Sequence, residues 1–535
     1  MAGQGRDIET IFGLRRPWWA AIAATPVIFT VFQTSTVFDV TLNVAEDALI
    51  AGKYTGQWIT GAFVVGMMAG IFLTATLRGL VGMRNVYAIG LTFFILGSAL
   101  DSVAPGVTWM TCSKFISGFG RGLVISNLRA TIYNHFPDEL LYAFAFYGIV
   151  GYSSRLLSPL YAAYVVDWAN WRWIHINDVW LGILGLIMTF YFLRNDRPKV
   201  ISKIHFDGVG YVLWIATVVA ILVLFDRSQL WGYMSSNNFA IAMASFLVLA
   251  IATVVWCTIH PDPIFDFRAI PPIRSFALAM VTKSCFIASL YAVAGGISTY
   301  MVDLRGYPRT TSGWILWPGG LGMIVAMGLS ATVLPELLSR RRRLMLGMFA
   351  TALVTWQFST VDLYTDKFWI AAMMGLWGLA LGSTVLPILA YAQEGLNPKV
   401  GLKAVAIGMT IYVLPIDLVS GTNRILHERA TDYYQQRLSL DDIPNRPIVE
   451  ITEERVADHV ATRGATTSNV NETSVAILKT WLKMNAAALG YQWLFWVVGF
   501  VPLVGVFFAA LLPEQKVKYL ELLRKARLDK PMPAH

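Results

Sequence analysis

Several apolar runs of this sequence contain charged or amide side chains, and the spacing of these residues limits the chemistry that they could do. Asp39 and Asn43 are four residues apart, so in a helix they share one face, which Thr36 and Gln33 extend as a polar stripe. Burial raises the pKa of a carboxyl group and a nearby cation lowers it, so the proton affinity of such an acid changes with its partners. The alternatives are a structural salt bridge or an acid of an outer loop.

Three basic side chains stand in two further apolar runs. Lys114 and Arg121 are seven residues apart, two helical turns, and share a face with Gly118 between them, so both can hardly face lipid. Arg155 precedes Pro159 by four residues, and the missing N–H of the proline frees the backbone carbonyl of Arg155. An intramembrane arginine costs roughly 2.5 to 3.5 kcal/mol on insertion, which favours a cavity for these cations. The alternatives are that Lys114 snorkels to the outer interface and that Arg155 forms an interhelical bridge.

Two more ionisable residues lie in apolar runs of the second half of the chain. Lys283 and Asp417 could each pair across a central cavity. The cations inside apolar runs then outnumber the acids, with Lys114, Arg121, Arg155 and Lys283 against Asp39 and Asp417. Because ionisable side chains within a membrane mark substrate and ion paths, this excess predicts an anionic or weak-acid amphiphile as the cargo.

The elements that must position these residues are apolar runs with the length of membrane spans. The chain of 535 residues is 56% hydrophobic and 14% charged, with a mean hydropathy of +0.56, which is too apolar for a soluble protein of this length. Runs of roughly 20 apolar residues, enough to cross about 30 Å of hydrocarbon as a helix, recur along it. They predict an all-α polytopic membrane protein with about fourteen spans, near residues 18–41, 55–77, 86–103, 109–133, 141–166, 174–193, 208–225, 238–258, 276–301, 312–335, 344–361, 368–390, 403–425 and 487–512.

The loops between the predicted spans alternate in charge. Basic residues concentrate in one set of loops, such as the run Arg340–Arg343, and acids such as Asp362 and Asp366 lie in the other set. By the positive-inside rule, this alternation places both termini in the cytoplasm. The polar segment 427–483 is then external, and the basic tail 514–535 is cytoplasmic. Because the loops account for the net charge of +9, this charge does not indicate a nucleic-acid partner.

The sequence lacks the common motifs for nucleotides and metals. No G-x-x-x-x-G-K-[ST] loop, no H-E-x-x-H and no Cys-x-x-Cys pair occurs, and the three cysteines fall inside apolar runs. No His, Asp and Glu residues gather at catalytic spacing either. We therefore expect no cofactor, no metal ligand, no catalytic residue and no enzymatic activity. Uphill transport would have to draw on an ion gradient.

Four segments resemble the motifs of one transporter family. The run FDVTLNVA, Phe38–Ala45, is similar to an Asp-x-x-x-x-Asn-Val-Ala pattern, one residue shorter. Lys114–Gly120 resembles Arg-x-x-Gln-Gly-x-Gly, and Ser158–Ala163 resembles the antiporter motif Gly-Pro-x-x-Gly-Gly. Asn170–Asn177, NWRWIHIN, is similar to a Trp-Arg-Trp-Ile-Phe-x-x-Asn segment. The family is the fourteen-helix drug:proton antiporters of the major facilitator superfamily, the EmrB-like branch.

The resemblance implies a fold and a mode of transport. It implies an amino-terminal six-helix bundle in residues 1–193, two additional helices with their linkers in 194–274, and a carboxy-terminal six-helix bundle in 275–535. The two bundles would rock around a site near the membrane midplane. The expected function is proton-coupled export of hydrophobic, anionic or weak-acid compounds across a bacterial inner membrane, with a periplasmic adaptor protein as a possible partner.

The resemblance and the buried charges together assign expected roles to eleven residues. Proton coupling is assigned to Asp39, Lys114 and Asp417, and the substrate cavity to Asn43, Arg121, Arg155 and Lys283. The antiporter-like helix motif comprises Ser158, Pro159, Ala162 and Ala163, whose small side chains let that helix pack closely against a neighbour.

One loop departs from the family pattern. In residues 75–84, Gly79 occupies the position at which the family has an acid. In the family, that acid helps to keep the cytoplasmic side closed. Weakened motifs leave two other functions open. One is a dedicated transporter of a single metabolite, such as an aromatic acid or a siderophore, and the other is a membrane receptor that no longer transports.

Overall fold

The computed structural model of the protein describes residues 56–135, 140–193, 206–228, 230–232, 236–265, 273–393, 401–438 and 470–514, with short pieces between Thr10 and Leu49. Within these ranges the chain is almost entirely helical, as the sequence predicts. A two-residue antiparallel pairing joins β1, Thr10–Ile11, to β2, Leu14–Arg15.

The helices follow the predicted spans closely. Those of the first half are α1 Gly56–Val81, α2 Met83–Ser102, α3 Val107–His135, α4 Leu140–Trp168 and α5 Arg172–Phe192. The next two are α6 Gly208–Arg227 and α7 Asn237–Ile259. Those of the second half are α8 Ile273–Thr299, which continues as a π-helical turn Tyr300–Leu304, α9 Arg309–Thr332, α10 Leu334–Leu337, α11 Arg340–Phe358, α12 Lys367–Gln393, α13 Gly401–Leu438, α14 Val470–Val498 and α15 Phe500–Ala510.

Nine stretches of the described helices are long and apolar enough to cross a membrane. The first predicted span, 18–41, falls largely outside the described residues. The segment 427–483 differs from the predicted loop, because α13 continues to Leu438 and α14 already begins at Val470. Both ends of this segment are therefore helical, and α13 and α14 pack against each other.

Close helix crossings built on glycines occur in both halves of the protein. In the first half, α1 crosses α3, and a Cβ added at Gly122 would collide with the carbonyl oxygen of Met67. In the second half, α9 crosses α12, and a Cβ added at Gly378 would collide with the carbonyl oxygen of Gly319. Small residues allow helix backbones to approach this closely within a membrane, where packing rather than the hydrophobic effect drives helix association.

Helices α6 and α7 form a pair that lies against α1. The hydroxyl oxygens of Thr217 and Thr253 lie 2.9 Å apart between the two helices. Asp207 caps α6 by accepting from the backbone N–H of Gly210 at 2.8 Å, and it also accepts from the indole N–H of Trp256 at 2.9 Å. Most of the apolar surface of α7 is exposed, which suits a helix that faces lipid. The two helices lie within residues 194–274, where the resemblance to drug:proton antiporters implies two additional helices.

Candidate functional site

Three helices of the first half bring five ionisable side chains together in the interior. Asp101 lies in the last turn of α2, Lys114 and Arg121 lie on α3, and His175 and Asp178 lie in the first two turns of α5. Each of these five residues is at most 2% exposed. We call this set the buried charge cluster, because these ionisable side chains lie together in the apolar interior between the three helices.

Two ion pairs hold the buried charge cluster together. The Lys114 Nζ atom lies 3.1 Å from Asp101 Oδ2, and the Arg121 Nη2 atom donates to Asp178 Oδ2 at 3.1 Å. Removing one member of a buried pair leaves an uncompensated charge and typically costs about 3 to 5 kcal/mol of stability. Each carboxylate is therefore needed to keep its cation buried.

Each pair has further contacts of a different kind. The Ser113 hydroxyl donates to Asp101 Oδ1, and the carbonyl oxygen of Met110, 3.0 Å from the Ser113 oxygen, is its alternative acceptor. The Arg121 guanidinium lies over the ring of Phe94 at 4.6 Å and over that of Phe63 at 5.2 Å, which are cation–π distances. Arg121 is thus fixed by a carboxylate and two rings, whereas Lys114 meets Asp101 at the end of a flexible side chain.

His175 lies beside the first ion pair without joining it. Its Nδ1 atom is 4.0 Å from Asp101 Oδ2 and makes no hydrogen bond with the residues that the structure describes. The indole ring of Trp171 packs edge-on against the imidazole, with 5.9 Å between ring centroids. A buried imidazole nitrogen so close to a carboxylate oxygen is a group that could take up a proton.

The structure decides part of what the sequence left open about the basic residues. Lys114 does not snorkel to an interface, because its side chain is buried and paired with Asp101. Lys283, on α8, is also buried, and its Nζ atom donates to the carbonyl oxygen of Gly408 on α13 at 2.5 Å. The structure brings Lys114 and Arg121 into one cluster and leaves Lys283 in the other half of the protein.

Four of the predicted site residues cannot be placed in this way. Asp39 and Asn43 lie outside the described residues. Arg155 lies within α4 and Asp417 within α13, but only their backbone is part of the described structure. Their assignment to proton coupling and to the substrate cavity stays a prediction.

The sequence reasoning missed Asp101, His175 and Asp178. Asp101 lies at the end of the predicted span 86–103, where acids commonly belong to loops, and the other two lie at the start of the predicted span 174–193. These acids correct the charge count on which the anionic cargo was predicted. Lys114 and Arg121 each face a carboxylate, so they do not form a surplus of cations. The available signal was that Asp101 and Asp178 each lie within a predicted span, 86–103 and 174–193, where an acid needs a partner.

The antiporter-like motif lies within α4, in a buried position. Ser158, Pro159, Ala162 and Ala163 are all buried, and Ala162 packs against Ile174 of α5. The same helix packs along α9 of the other half, where a Cβ added at Gly313 would lie 2.6 Å from the Cα atom of Leu160. The small residues therefore lie in the helix through which the two halves meet most closely.

A hydrogen-bonded bridge joins the ends of α1, α2 and α3 far from the buried charge cluster. Arg78 donates to the Asn127 side-chain oxygen at 3.2 Å, and the Asn127 side-chain nitrogen donates to the carbonyl oxygen of Met83 at 2.9 Å. Gly82, between α1 and α2, has a φ of 85°, which favours glycine. This bridge lies beside Gly79, which replaces the acid of the family pattern and belongs to the last turn of α1 rather than to a loop.

Cavities flank the helices of the first half. One of about 500 Å³ lies between α1, α3 and α6, with apolar walls and with Asp226 and Arg227 at its lining. A second, a hollow of about 600 Å³, lies beside the loop between α2 and α3 and is lined in part by Trp109, Cys112 and Ser113. The hollow therefore reaches the serine that donates to Asp101.

Comparison with known proteins agrees with this architecture. Multidrug resistance protein 3 of Bacillus subtilis (strain 168) is 23% identical over 361 residues, 67% of this chain and 69% of that protein. Multidrug export protein EmrB of Escherichia coli (strain K12) is 20% identical over 379 residues, 71% of this chain and 74% of that protein. The structure of the proton:xylose symporter XylE superposes with a TM-score of 0.59 at 13% identity, covering 96% of this chain and 99% of that one, which shows the fold. The family model of the Major Facilitator Superfamily matches residues 24–416, and the chain belongs to this superfamily of membrane transporters.

Proposed function

We propose that this transporter exports hydrophobic compounds and is driven by protons. The names of its relatives, which include a multidrug resistance protein and a multidrug export protein, support an export role. The motif resemblance to drug:proton antiporters supports the coupling ion. The proposed location is a bacterial inner membrane, with both termini in the cytoplasm.

The buried charge cluster is the observation that carries the proposal of proton coupling. Buried ion pairs contribute little net stability compared with apolar packing, so two of them inside a membrane bundle favour a functional role. A carboxylate that is held by a cation binds a proton weakly, and it binds one more strongly when the cation moves away. A change of partners within the cluster can therefore take up or release a proton.

The proposed transport cycle uses the contacts between the two halves. Helix α4 packs along α9, and α1 packs against α13, so these contacts must rearrange when the halves rock. Asp39 and Asp417 keep their proposed coupling roles, and Asn43, Arg121, Arg155 and Lys283 their proposed cavity roles. A change at the buried charge cluster would reach α4 through α5, which Ala162 contacts.

The proposal that the cargo is hydrophobic has more support than the proposal that it is negatively charged. Hydrophobic compounds are supported by the relatives and by the apolar cavity between α1, α3 and α6. The preference for anionic or weak-acid compounds now depends on Arg155 and Lys283, since the other two cations have carboxylate partners. A dedicated transporter of one metabolite would show itself by a single accepted compound in the same measurements.

The experiment uses the purified protein in proteoliposomes. An imposed proton gradient should drive accumulation of several unrelated hydrophobic compounds. Downhill movement of an added compound should move protons the other way, into the compartment to which the compound was added. Each proton that moves through 100 mV supplies about 2.3 kcal/mol, so dissipating the gradient should abolish accumulation. Accumulation that is unaffected by the proton gradient would overturn the coupling, and the absence of transport of any compound would favour a receptor.

A separate experiment tests the proposed orientation. Reporter fusions after Lys203 and after Arg343 should report the cytoplasm, and fusions within residues 440–470 should report the external side, because the basic and acidic loops alternate. A cytoplasmic report from within 440–470 would reverse or break the assigned topology.

A further inference from the structure

We infer that His175 is a proton-binding group of this transporter and that, when protonated, it displaces Lys114 from Asp101. This inference rests on the proposed proton coupling and names the residues that would carry it out in the first half of the protein.

The geometry places two groups on one carboxylate oxygen. Lys114 Nζ lies 3.1 Å from Asp101 Oδ2, and His175 Nδ1 lies 4.0 Å from the same atom. The other oxygen of this carboxylate accepts from Ser113. A hydrogen bond from an imidazolium N–H would need an approach of about 1 Å, to the usual 2.7 to 3.2 Å. The two groups therefore compete for Oδ2, while Ser113 holds the carboxylate in place.

The charge balance of the buried charge cluster makes this competition depend on protons. With a neutral imidazole the cluster contains two cations, Lys114 and Arg121, and two carboxylates, Asp101 and Asp178. A proton on His175 adds a third cation to the same two carboxylates. Buried charges need partners, so one cation must lose its place.

Lys114 is the cation that gives way. Arg121 is held by Asp178 and by the rings of Phe94 and Phe63, and its planar guanidinium has little freedom to turn. Lys114 carries its charge at the end of four methylene groups and can reorient without moving α3. Protonation of His175 therefore moves the ammonium group of Lys114 to a new position. There it can bind the cargo or another acid.

The charged groups near the imidazole act in opposite directions. The Asp101 carboxylate favours a proton on His175, whereas burial and the cations Lys114, Arg121 and Arg172 oppose it, so the proton can be held only when Lys114 moves away. On its own helix are Asp178, which is paired with Arg121, and Arg172, whose Nη2 atom donates to the carbonyl oxygen of Ala104 at 3.0 Å. Helix α2 contributes Asp101, and α3 contributes Lys114 and Arg121. From α4, Tyr161 approaches the Asp178 end of the cluster.

A route for the proton leads to the cluster from the hollow beside the α2–α3 loop. Ser113 lines this hollow, and its hydroxyl donates to Asp101. With both termini in the cytoplasm, this loop faces the external side. A proton would then arrive from the side on which an exporter driven by the proton gradient takes it up.

The residue type at position 175 differs from that of the similar family segment. In the segment NWRWIHIN, His175 occupies the position at which the similar family segment has phenylalanine. An aromatic ring fits there in both cases, but only the imidazole can carry a proton. The proton-binding role is therefore a property of this chain rather than of the motif.

The test replaces His175 with the motif residue. His175→Phe should keep substrate exchange at pH 8 within about twofold of the original protein, because exchange needs no net proton movement, but should lose most of the increase in proton-driven transport between pH 8 and pH 6. His260→Phe, a change outside the cluster, is the matched control and should retain the original pH profile. If His175→Phe does not fold, His175→Gln replaces it in the same pair of measurements.

A second measurement separates proton binding from a structural effect. Substrate-induced proton release from the purified protein in detergent should fall in His175→Phe and not in His260→Phe. In protein labelled with ¹⁵N-histidine, the signal that His175→Gln removes should be one that titrates and that shifts when Lys114→Met is introduced.

The outcomes distinguish the two proposals. An unchanged pH profile and proton release in a folded His175→Phe protein would overturn the role of His175 while leaving proton coupling intact. Proton-independent transport by the original protein would overturn the proposed coupling itself.

Discussion

The two halves of the protein share one packing plan but hold their buried cations differently. In the first half, Lys114 and Arg121 are each paired with a carboxylate. In the second half, Lys283 donates to the backbone carbonyl oxygen of Gly408, and Arg343 donates to that of Ser330 at 2.9 Å. A carboxylate can bind a proton, whereas a backbone carbonyl does not titrate in the physiological range.

This difference separates two tasks that a coupled transporter must perform. The glycine crossings of α1 with α3 and of α9 with α12 give both halves a rigid pair of helices. The first half adds two buried ion pairs in which the partner of a cation can change its charge, whereas the ion pair between Arg342 and Glu514 in the second half is exposed. We therefore expect substitutions at the buried charge cluster to change the pH profile. Substitutions at Lys283 and Arg343 should affect stability or cargo without changing it, whereas Asp417 keeps its proposed coupling role.

The largest expected effect follows from breaking an ion pair of the first half. Asp178→Ala leaves Arg121 buried without its carboxylate and should lower the free energy of unfolding by about 3 to 5 kcal/mol. Thermal unfolding in detergent measures the loss, with Glu336→Ala at an exposed position as the control. The double variant Arg121→Met with Asp178→Leu should recover most of it. Equal stability of Asp178→Ala and the control would mean that the pair does not matter for folding.

The next effect tests the packing plan that the halves share. Gly122→Ala and Gly378→Ala should each destabilise the protein by about 1 to 3 kcal/mol, because the added methyl group forces two backbones apart. Gly328→Ala is the matched control, since no atom lies within 4 Å of a Cβ placed there. Sensitivity in only one half would show that the two crossings are not equivalent.

A smaller effect is expected from the backbone-bonded lysine of the second half. Lys283→Met removes the donor to Gly408 and leaves that carbonyl oxygen without this hydrogen bond, at a cost of about 1 to 3 kcal/mol. Its transport should be reduced equally at pH 6 and pH 8, whereas Lys114→Met should alter the ratio of the two rates. A change of this ratio in Lys283→Met would contradict the division of tasks between the halves.

The smallest effect is expected at the bridge that Asn127 forms between Arg78 and Met83. Asn127→Asp gains a charged partner for Arg78 but loses the hydrogen bond to Met83, so the net change in stability at low salt should be less than about 1 kcal/mol. The measurement is the unfolding temperature as a function of salt, which should fall in the variant and stay nearly constant in the original protein. An identical salt dependence would mean that this residue does not set the electrostatics of the loop.

The sequence predicts the helices well because span length is a local property. The predicted spans 86–103 and 174–193 differ from α2, Met83–Ser102, and α5, Arg172–Phe192, by at most three residues at either end. The extension of α13 beyond residue 425 was not predicted, because its polar composition is typical of a loop.

The carboxylate partners of the buried cations could not be predicted from local sequence patterns. Arg121 and Asp178 are 57 residues apart in the chain, and nothing in their spacing indicates that α3 and α5 bring them together. Lys114 and Asp101 are closer in sequence, but Asp101 precedes a turn, which is typical of an acid in a solvated loop. Helical periodicity placed Lys114 and Arg121 in the interior, and only the packing of three helices revealed their carboxylates.

The hydrogen bonds among Arg78, Asn127 and Met83 bear on how the protein responds to pH and ionic strength. The acceptors of this bridge are an amide oxygen and a backbone carbonyl oxygen, neither of which ionises, and neither of its hydrogen bonds joins two opposite charges. Its strength should therefore hardly vary with the acidity or the ionic strength of the compartment that it faces. Acidity would then act on the ion pair at Asp101, whereas the hydrogen bonds of this bridge would persist over the same range of pH.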